Sequence, residues 1–93
     1  MNAEYKVPGG KLVASEVTVE GDILSRVKIT GDFFMHPEES IVTLEDALKG
    51  TRVDELEDTV DKFFEENQIS LFGVSKKDIV KVIRMALEPV TQG

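Results

Sequence analysis

The chain of 93 residues contains no cysteine, a single histidine and no apolar run near the ~20 residues that a membrane-spanning helix needs. Each shortage removes a class of function. Without thiols there are no disulfides, thiolate nucleophiles, Cys-ligated zinc sites or iron–sulfur assembly chemistry. A reducing cytoplasm suits such a chain. The opening residues, Met1-Asn2-Ala3-Glu4-Tyr5-Lys6, lack the apolar core of a signal peptide. The expected location is therefore cytoplasmic, with no membrane partner. With only His36 available, no Ser/His/Asp set and no paired catalytic carboxylates can be assembled. The Asp-x-Asp-x-Asp-Gly pattern of a calcium loop is missing as well. Positive charge is scarce: 11 Lys and Arg face 18 Asp and Glu, for a net charge of −7. The imbalance sits in residues 37–66, which hold eleven acids and three bases. That block repels phosphate backbones, so no nucleic-acid partner is expected. A basic partner surface or plain solubility accounts for it.

What remains is the composition of a folded domain, 41% hydrophobic and 31% charged. At this length one domain, residues 1–93, is the sensible count. Its core is modest, which weighs against a large substrate cleft and a self-sufficient enzyme.

The first third reads as β structure. Glu4–Val7 is a short strand, broken by Pro8-Gly9-Gly10. Leu12–Glu20 alternates, with Val13, Val17 and Val19 on one face and Glu16, Thr18 and Glu20 on the other. Gly21-Asp22 marks a hairpin turn. Ile23–Phe33 resumes the alternation, sending Ile23, Val27, Ile29 and Phe33 one way and Arg26, Lys28 and Thr30 the other. Three helices follow. Pro37 opens the first, with Glu38 and Glu39 near its N-terminal dipole, and Gly50 ends it. Ile41, Leu44 and Leu48 line its buried face. The second runs from about Val53 to Glu66 on a stripe of Val53, Leu56, Val60, Phe63 and Phe64. The third starts at Ser75-Lys76-Lys77-Asp78, a capping box with Asp in place of Glu, and Val74 and Ile79 are placed as a hydrophobic staple. Val82, Ile83, Ala86 and Leu87 continue its face, Glu88-Pro89 stops it, and Val90–Gly93 frays. The expected fold class is α+β: a small antiparallel sheet of about three strands, then three helices packed on one face.

Two stretches stand apart. Pro8-Gly9-Gly10-Lys11 can bring backbone amides and a lysine to a phosphate or carboxylate. The P-loop signature is missing and a strand follows, so the residues alone favour a hairpin turn. Gly31-Asp32-Phe33-Phe34-Met35-His36-Pro37 ends a strand on glycine, sets an acid beside two aromatics and turns into a helix. It reads either as a binding edge, with Phe34 and Met35 as apolar contacts, or as a connection whose phenylalanines anchor the core. Phe33 continues the apolar face of its strand; Phe34 points the other way and is the better interface residue. His36, before a proline, reads as a turn residue more readily than as a general base. The acids Asp54, Glu55, Asp58, Asp61 and Glu65 read as a solvated helix face with an Asp58–Lys62 pair, and no metal site.

The run Tyr5-Lys6-Val7-Pro8-Gly9-Gly10-Lys11-Leu12, the hairpin into Ile23, and Val27-Lys28-Ile29-Thr30-Gly31-Asp32-Phe33-Phe34 resemble the C-terminal accessory domain of lipoate–protein ligases. So do the helix ending at Leu48-Lys49-Gly50, the segment from Asp54–Leu56 onward, and the helical part after Phe72-Gly73. The resemblance covers nearly the whole chain. Its most specific parts are Gly9-Gly10-Lys11 and Gly31-Asp32-Phe33-Phe34. In that family the domain follows a catalytic domain that binds lipoate and ATP, makes lipoyl-adenylate and transfers the lipoyl group to a lysine of an acceptor domain. The small domain supports activation and changes position relative to the catalytic one. The lipoate- and ATP-binding motifs and the catalytic lysine have no counterpart in these 93 residues.

The resemblance thus implies an accessory subunit of a two-component ligase, or an excised domain, with Met1 favouring the subunit. It implies a heterodimer with a catalytic subunit and lipoyl-acceptor domains as further partners. No catalytic activity of this chain alone is expected, and no catalytic residue. ATP, Mg and lipoate belong on the partner, and this chain alone binds no cofactor. The candidates for docking and active-site closure are Gly9, Gly10, Lys11, Gly31, Asp32, Phe34 and Met35. The family fold is similar to that of sulfur-transfer and iron–sulfur scaffold proteins, whose chemistry needs a cysteine that is absent here. The competing expectation is a non-enzymatic acidic adaptor, unrelated to lipoate, whose second helix recruits a basic partner.

Overall fold

Alternation of apolar residues at period two makes three successive segments into one sheet. In the computed structural model, which describes residues 1–87, these are β1 (Asn2–Lys6), β2 (Leu12–Glu20) and β3 (Ile23–Gly31). They lie in the order β1-β2-β3, all neighbours antiparallel. Then come β4 (Phe34–His36), α1 (Ser40–Leu48), a 3-10 turn (Val53–Glu55), α2 (Leu56–Glu66), β5 (Ser70–Phe72) and α3 (Lys76–Leu87). The expected α+β class holds: α3 packs on β1 and β2, and α1 on β3. A second, two-stranded ribbon of β4 and β5 is added to the expected sheet.

On β2, Val13, Ser15 and Val17 turn inward, while Glu16 and Thr18 face solvent. Ser15 is buried with its Oγ donating to the Val82 carbonyl of α3 at 2.8 Å. A small hydroxyl between two valines lets the helix lie close to the sheet and leaves no buried polar atom unpaired. On β3 the expected inward Ile23 is corrected. Thr18 pairs with Arg26, but Val19 pairs with Leu24, so Ser25 is an extra residue. This bulge flips the phase of the strand end. Leu24 is buried with Val27 and Ile29, and Ile23 faces out to meet Arg52.

The free side of β3 is covered. Leu24 donates to the Thr51 carbonyl at 2.8 Å and accepts from the Gly50 amide at 2.7 Å. Further along, the Ile29 amide donates to the Glu45 carboxylate at 2.8 Å. A strand edge occupied in this way cannot template pairing with another chain.

The helices begin later than the residue pattern predicts, and tertiary contacts explain both delays. Pro37 does not open α1. Pairing of β4 with β5 extends through His36, so Pro37–Glu39 form a turn in which the Ser40 amide donates to the Pro37 carbonyl at 3.0 Å. Val53 likewise precedes α2, because its amide donates to Asp22 in the β2–β3 hairpin at 2.8 Å. Leu44 and Leu48 of α1 and Leu56, Val60 and Phe63 of α2 then fill the core. Ion pairs of the acidic α2 face run across to α3 rather than along the helix from Asp58 to Lys62. Lys76 lies 3.1 Å from Asp61, and Arg84 Nε donates to Glu57 at 3.0 Å. α3 lies alongside and supplies the cation of each pair. The hydrogen bond from Arg84 holds the Glu57 carboxyl below its ordinary range.

The capping box forms as expected. The Ser75 amide donates to the Asp78 carboxylate at 2.8 Å, and the Asp78 amide donates to Ser75 Oγ at 3.3 Å. Val74 before the cap and Ile79 after it are both buried. The expected stop at Glu88-Pro89 and the tail Val90–Gly93 lie outside the described residues. Ser75→Ala removes one half of this box and lowers stability by about 1 kcal/mol, while Ser75→Thr retains most of it. Urea titrations of the two variants read the difference directly.

Candidate functional site

Phe34 and Phe72 sit opposite each other across the β4–β5 ribbon. Period-two alternation puts both on the outer face, where they are 74% and 59% exposed. Their neighbours Met35 and Leu71 form the next rung and turn inward. Met35 is only 5% exposed and belongs to the core. Its expected role as an apolar contact for a partner is therefore corrected: the same alternation that exposes Phe34 buries Met35.

Two close backbone approaches hold this ribbon in place. At Gly31 the chain leaves β3 with φ +150°, and a Cβ there would collide with the Leu12 carbonyl oxygen. The next amide, Asp32, donates to that same oxygen at 3.0 Å. At the other turn, the Gly10 amide donates to Val7 at 2.8 Å and the Lys11 amide donates to the Gly73 carbonyl at 3.1 Å. A Cβ on Gly10 would lie 2.7 Å from the Gly73 oxygen, so only glycine lets these two backbones meet. The stem of Lys11 lies across Gly73. The Pro8-Gly9-Gly10-Lys11 turn is thus a hairpin connection, and it is also fastened to the junction between β5 and α3.

The structure accordingly brings Gly10, Lys11, Gly31, Asp32 and Phe34 to one end of the molecule, linked through Leu12 and Gly73. Gly9 is at the turn tip, with φ +72° and open space around it. Lys11 and Asp32 are exposed. Sequence reasoning did not single out Phe72 as a functional partner for Phe34. Three residues of strand carry too little periodicity to read, and the exposed position of Phe72 depends on pairing with a segment 38 positions away. A groove opens beside Phe34, lined by Ile29, Phe33 and Ile41 and rimmed by Glu38.

This arrangement offers exposed apolar anchors with charged neighbours. His36 is exposed on the ribbon, opposite Ser70. Among the described residues, no group of three or more His, Asp or Glu side chains is placed to hold a metal ion. Among the same residues, no helix is long and apolar enough to cross a membrane.

The three glycines differ in what surrounds them, and substitution separates them. Gly10→Ala and Gly31→Ala each destabilise the fold by about 2–3 kcal/mol, through collision with backbone. Gly9→Ala costs only about 1 kcal/mol, for its left-handed conformation alone. Chemical denaturation of the three variants checks the order.

The whole of this end of the molecule falls within a sequence match. The model of the family described as bacterial lipoate protein ligase C-terminus matches residues 1–83. Lipoate-protein ligase A subunit 2 from Thermoplasma acidophilum is 32% identical over 74 residues, which cover 80% of this chain and 78% of that protein. A chain in the solved structure of a bi-partite lipoate protein ligase and its E2 lipoyl domain, from the same organism, matches with a TM-score of 0.75 and 29% identity. That match covers 90% of this chain and 98% of the other. With the match spanning both glycine turns, the ribbon and most of α3, the chain belongs to the family of lipoate protein ligase C-terminal domains.

Proposed function

We propose that this chain is the accessory subunit of a two-component lipoate–protein ligase. It docks on a catalytic subunit in the cytoplasm and supports ATP-dependent activation of lipoate to lipoyl-adenylate, ahead of transfer to an acceptor domain. The observation that carries this reading is the match, along four fifths of the chain, to a protein named as the second subunit of such a ligase.

The chemistry of activation explains why a subunit without catalytic groups is useful. Acyl-adenylate formation needs the carboxylate held in line with the α-phosphate, and it needs water kept away from a reactive mixed anhydride. A body that closes over the site supplies both by position. We place ATP, Mg and lipoate on the partner. The groove beside Phe34 is open to solvent and rimmed by Glu38, a poor setting for a polyphosphate. Lys11 is the cation at this end best placed to meet an anionic group across the interface. Gly9, Gly10, Gly31 and Asp32 shape and hold the turns that carry it.

The acidic-adaptor reading is the weaker one. Glu57 and Asp61, two of the acids on α2, are engaged with Arg84 and Lys76 of α3. A basic partner would have to compete with those pairs.

Adding the purified chain to its cognate catalytic subunit raises lipoyl-adenylate formation by roughly tenfold or more. ATP-dependent release of pyrophosphate in the presence of lipoate measures it. No rise at saturating amounts of the chain contradicts the proposal.

A further inference from the structure

We infer that the outer face of the β4–β5 ribbon, with Phe34 and Phe72 as its anchors, is the surface by which this chain docks on the catalytic subunit. The inference rests on the accessory-subunit reading and adds the face, the anchors and the chemistry that fits them.

Exposed large apolar side chains elsewhere fall no more than one to an element. Among the described residues the large ones are Met1, Ile23, Val42 and Met85, spread over different elements. Single exposed aliphatics are ordinary on a protein surface. Phe34 and Phe72 are different in kind: two aromatics, cross-strand partners, both outward. Together they present on the order of 250 Å² of apolar surface at one place. The fold does not require them. The inward rung of the ribbon, Met35 with Leu71, supplies its contact with the core, and a polar residue at position 34 or 72 would cost the outer face of a two-stranded ribbon only about 1 kcal/mol or less.

The anchors are also held still. The Gly31–Leu12 approach fixes the chain three residues before β4 begins, and the Lys11–Gly73 hydrogen bond fixes the residue after β5. Backbone set in place before binding loses little entropy on docking, and aromatic anchors with only two side-chain torsions lose little more.

The occupant follows from area and charge. In a symmetric pair of copies, the two ribbons would contribute on the order of 500 Å² of apolar surface, short of the roughly 1,200–2,000 Å² that stable interfaces bury. Each copy also carries a net charge of −7, with Glu38 on the groove beside Phe34 and the exposed Asp32 just before Phe33 in the chain. A two-fold axis would set these like charges against each other. A different chain with an apolar pocket ringed by Lys and Arg avoids that repulsion, and a pocket that also covers the groove beside Phe34 buries area beyond the ribbon itself. Its pocket receives Phe34 and Phe72, one of its apolar side chains enters the groove beside Phe34, and its basic rim faces Asp32 and Glu38. A catalytic subunit that binds a nucleotide polyphosphate is basic around that site, and closure over the site places the ribbon at its edge.

The test uses the full chain and the full catalytic subunit. Phe34→Ser, Phe72→Ser and the double variant are titrated by calorimetry, with Met85→Ser as a control on an exposed apolar residue near the far end of α3. Each single variant weakens binding about tenfold or more, the double variant more still, and Met85→Ser leaves it unchanged. Thermal midpoints stay close to the wild-type value, because neither phenylalanine packs in the core. Should the double variant melt early, Glu38→Lys decides the question: it leaves the ribbon intact, and loss of affinity supports the docking face. Wild-type binding equalled by the double variant overturns the inference and leaves the accessory-subunit reading standing. No binding by the wild-type chain overturns that reading as well. Self-association of the wild type that disappears in the double variant makes a second copy the occupant and also overturns the inference.

Discussion

The hydrogen bond from the Lys11 amide to the Gly73 carbonyl, 3.1 Å long, joins parts of the chain 62 positions apart. Much of the architecture follows from it. On one side is the turn that sets β1 against β2. On the other is the point where β5 ends and the capped start of α3 begins. Fixing Gly73 fixes where Ser75 and Asp78 open the last helix, and so where Ile79, Val82 and Ile83 meet the sheet. It also fixes β5, and β5 gives β4 its only strand partner among the described residues. A contact of this length carries a loop-closure cost that grows slowly with separation, so once the core forms the added cost of the last closure is small. The absence of a side chain at Gly10 is the condition for it.

Above this fastening point, the fold separates two tasks. Inward rungs and helix stripes make the core. On the outer face of the ribbon the Phe34–Phe72 rung is left apolar beside the polar His36–Ser70 rung, at the same end of the molecule as the two glycine-bearing turns. On the proposed reading, this end of the molecule contributes shape and an apolar anchor, while ATP and lipoate are held by the chain it docks on. The strong negative charge fits the same division. Part of it is spent within the molecule, in the pairs between α2 and α3, and part remains beside the ribbon as Asp32 and Glu38.

Local rules were legible and non-local ones were not. The Ser75–Asp78 box could be read because its partners lie three residues apart and the chemistry is specific. The alternation of β2 and the stripe of α2 were legible for the same reason, since periodicity records which face is buried. The inward turn of Leu24 instead of Ile23 was hidden, because a bulge at Ser25 shifts the phase and no residue type announces it. Burial of Met35 was hidden in the same way, by a short strand whose partner is remote. Pro37 shows a local signal overruled: proline suits a first helical turn, but pairing of β4 with β5 through His36 took the preceding residues. At the candidate site, Gly31 and Phe34 stood out in the sequence. The meeting of Gly10 with Gly73, and of Phe34 with Phe72, needed the fold. The physics of the residues alone favoured a plain hairpin at Pro8–Lys11. The structure makes it a hairpin that also clamps β5, so both descriptions apply to one turn.

Amide hydrogen exchange, followed on the chain alone and in complex with the catalytic subunit, tests most directly whether the ribbon is the docking face. Protection gained on complex formation should concentrate in residues 33–36 and 70–73, with the outer face of α2 exchanging as it does in the free chain. Protection gained along α2, with the ribbon unchanged, would contradict it.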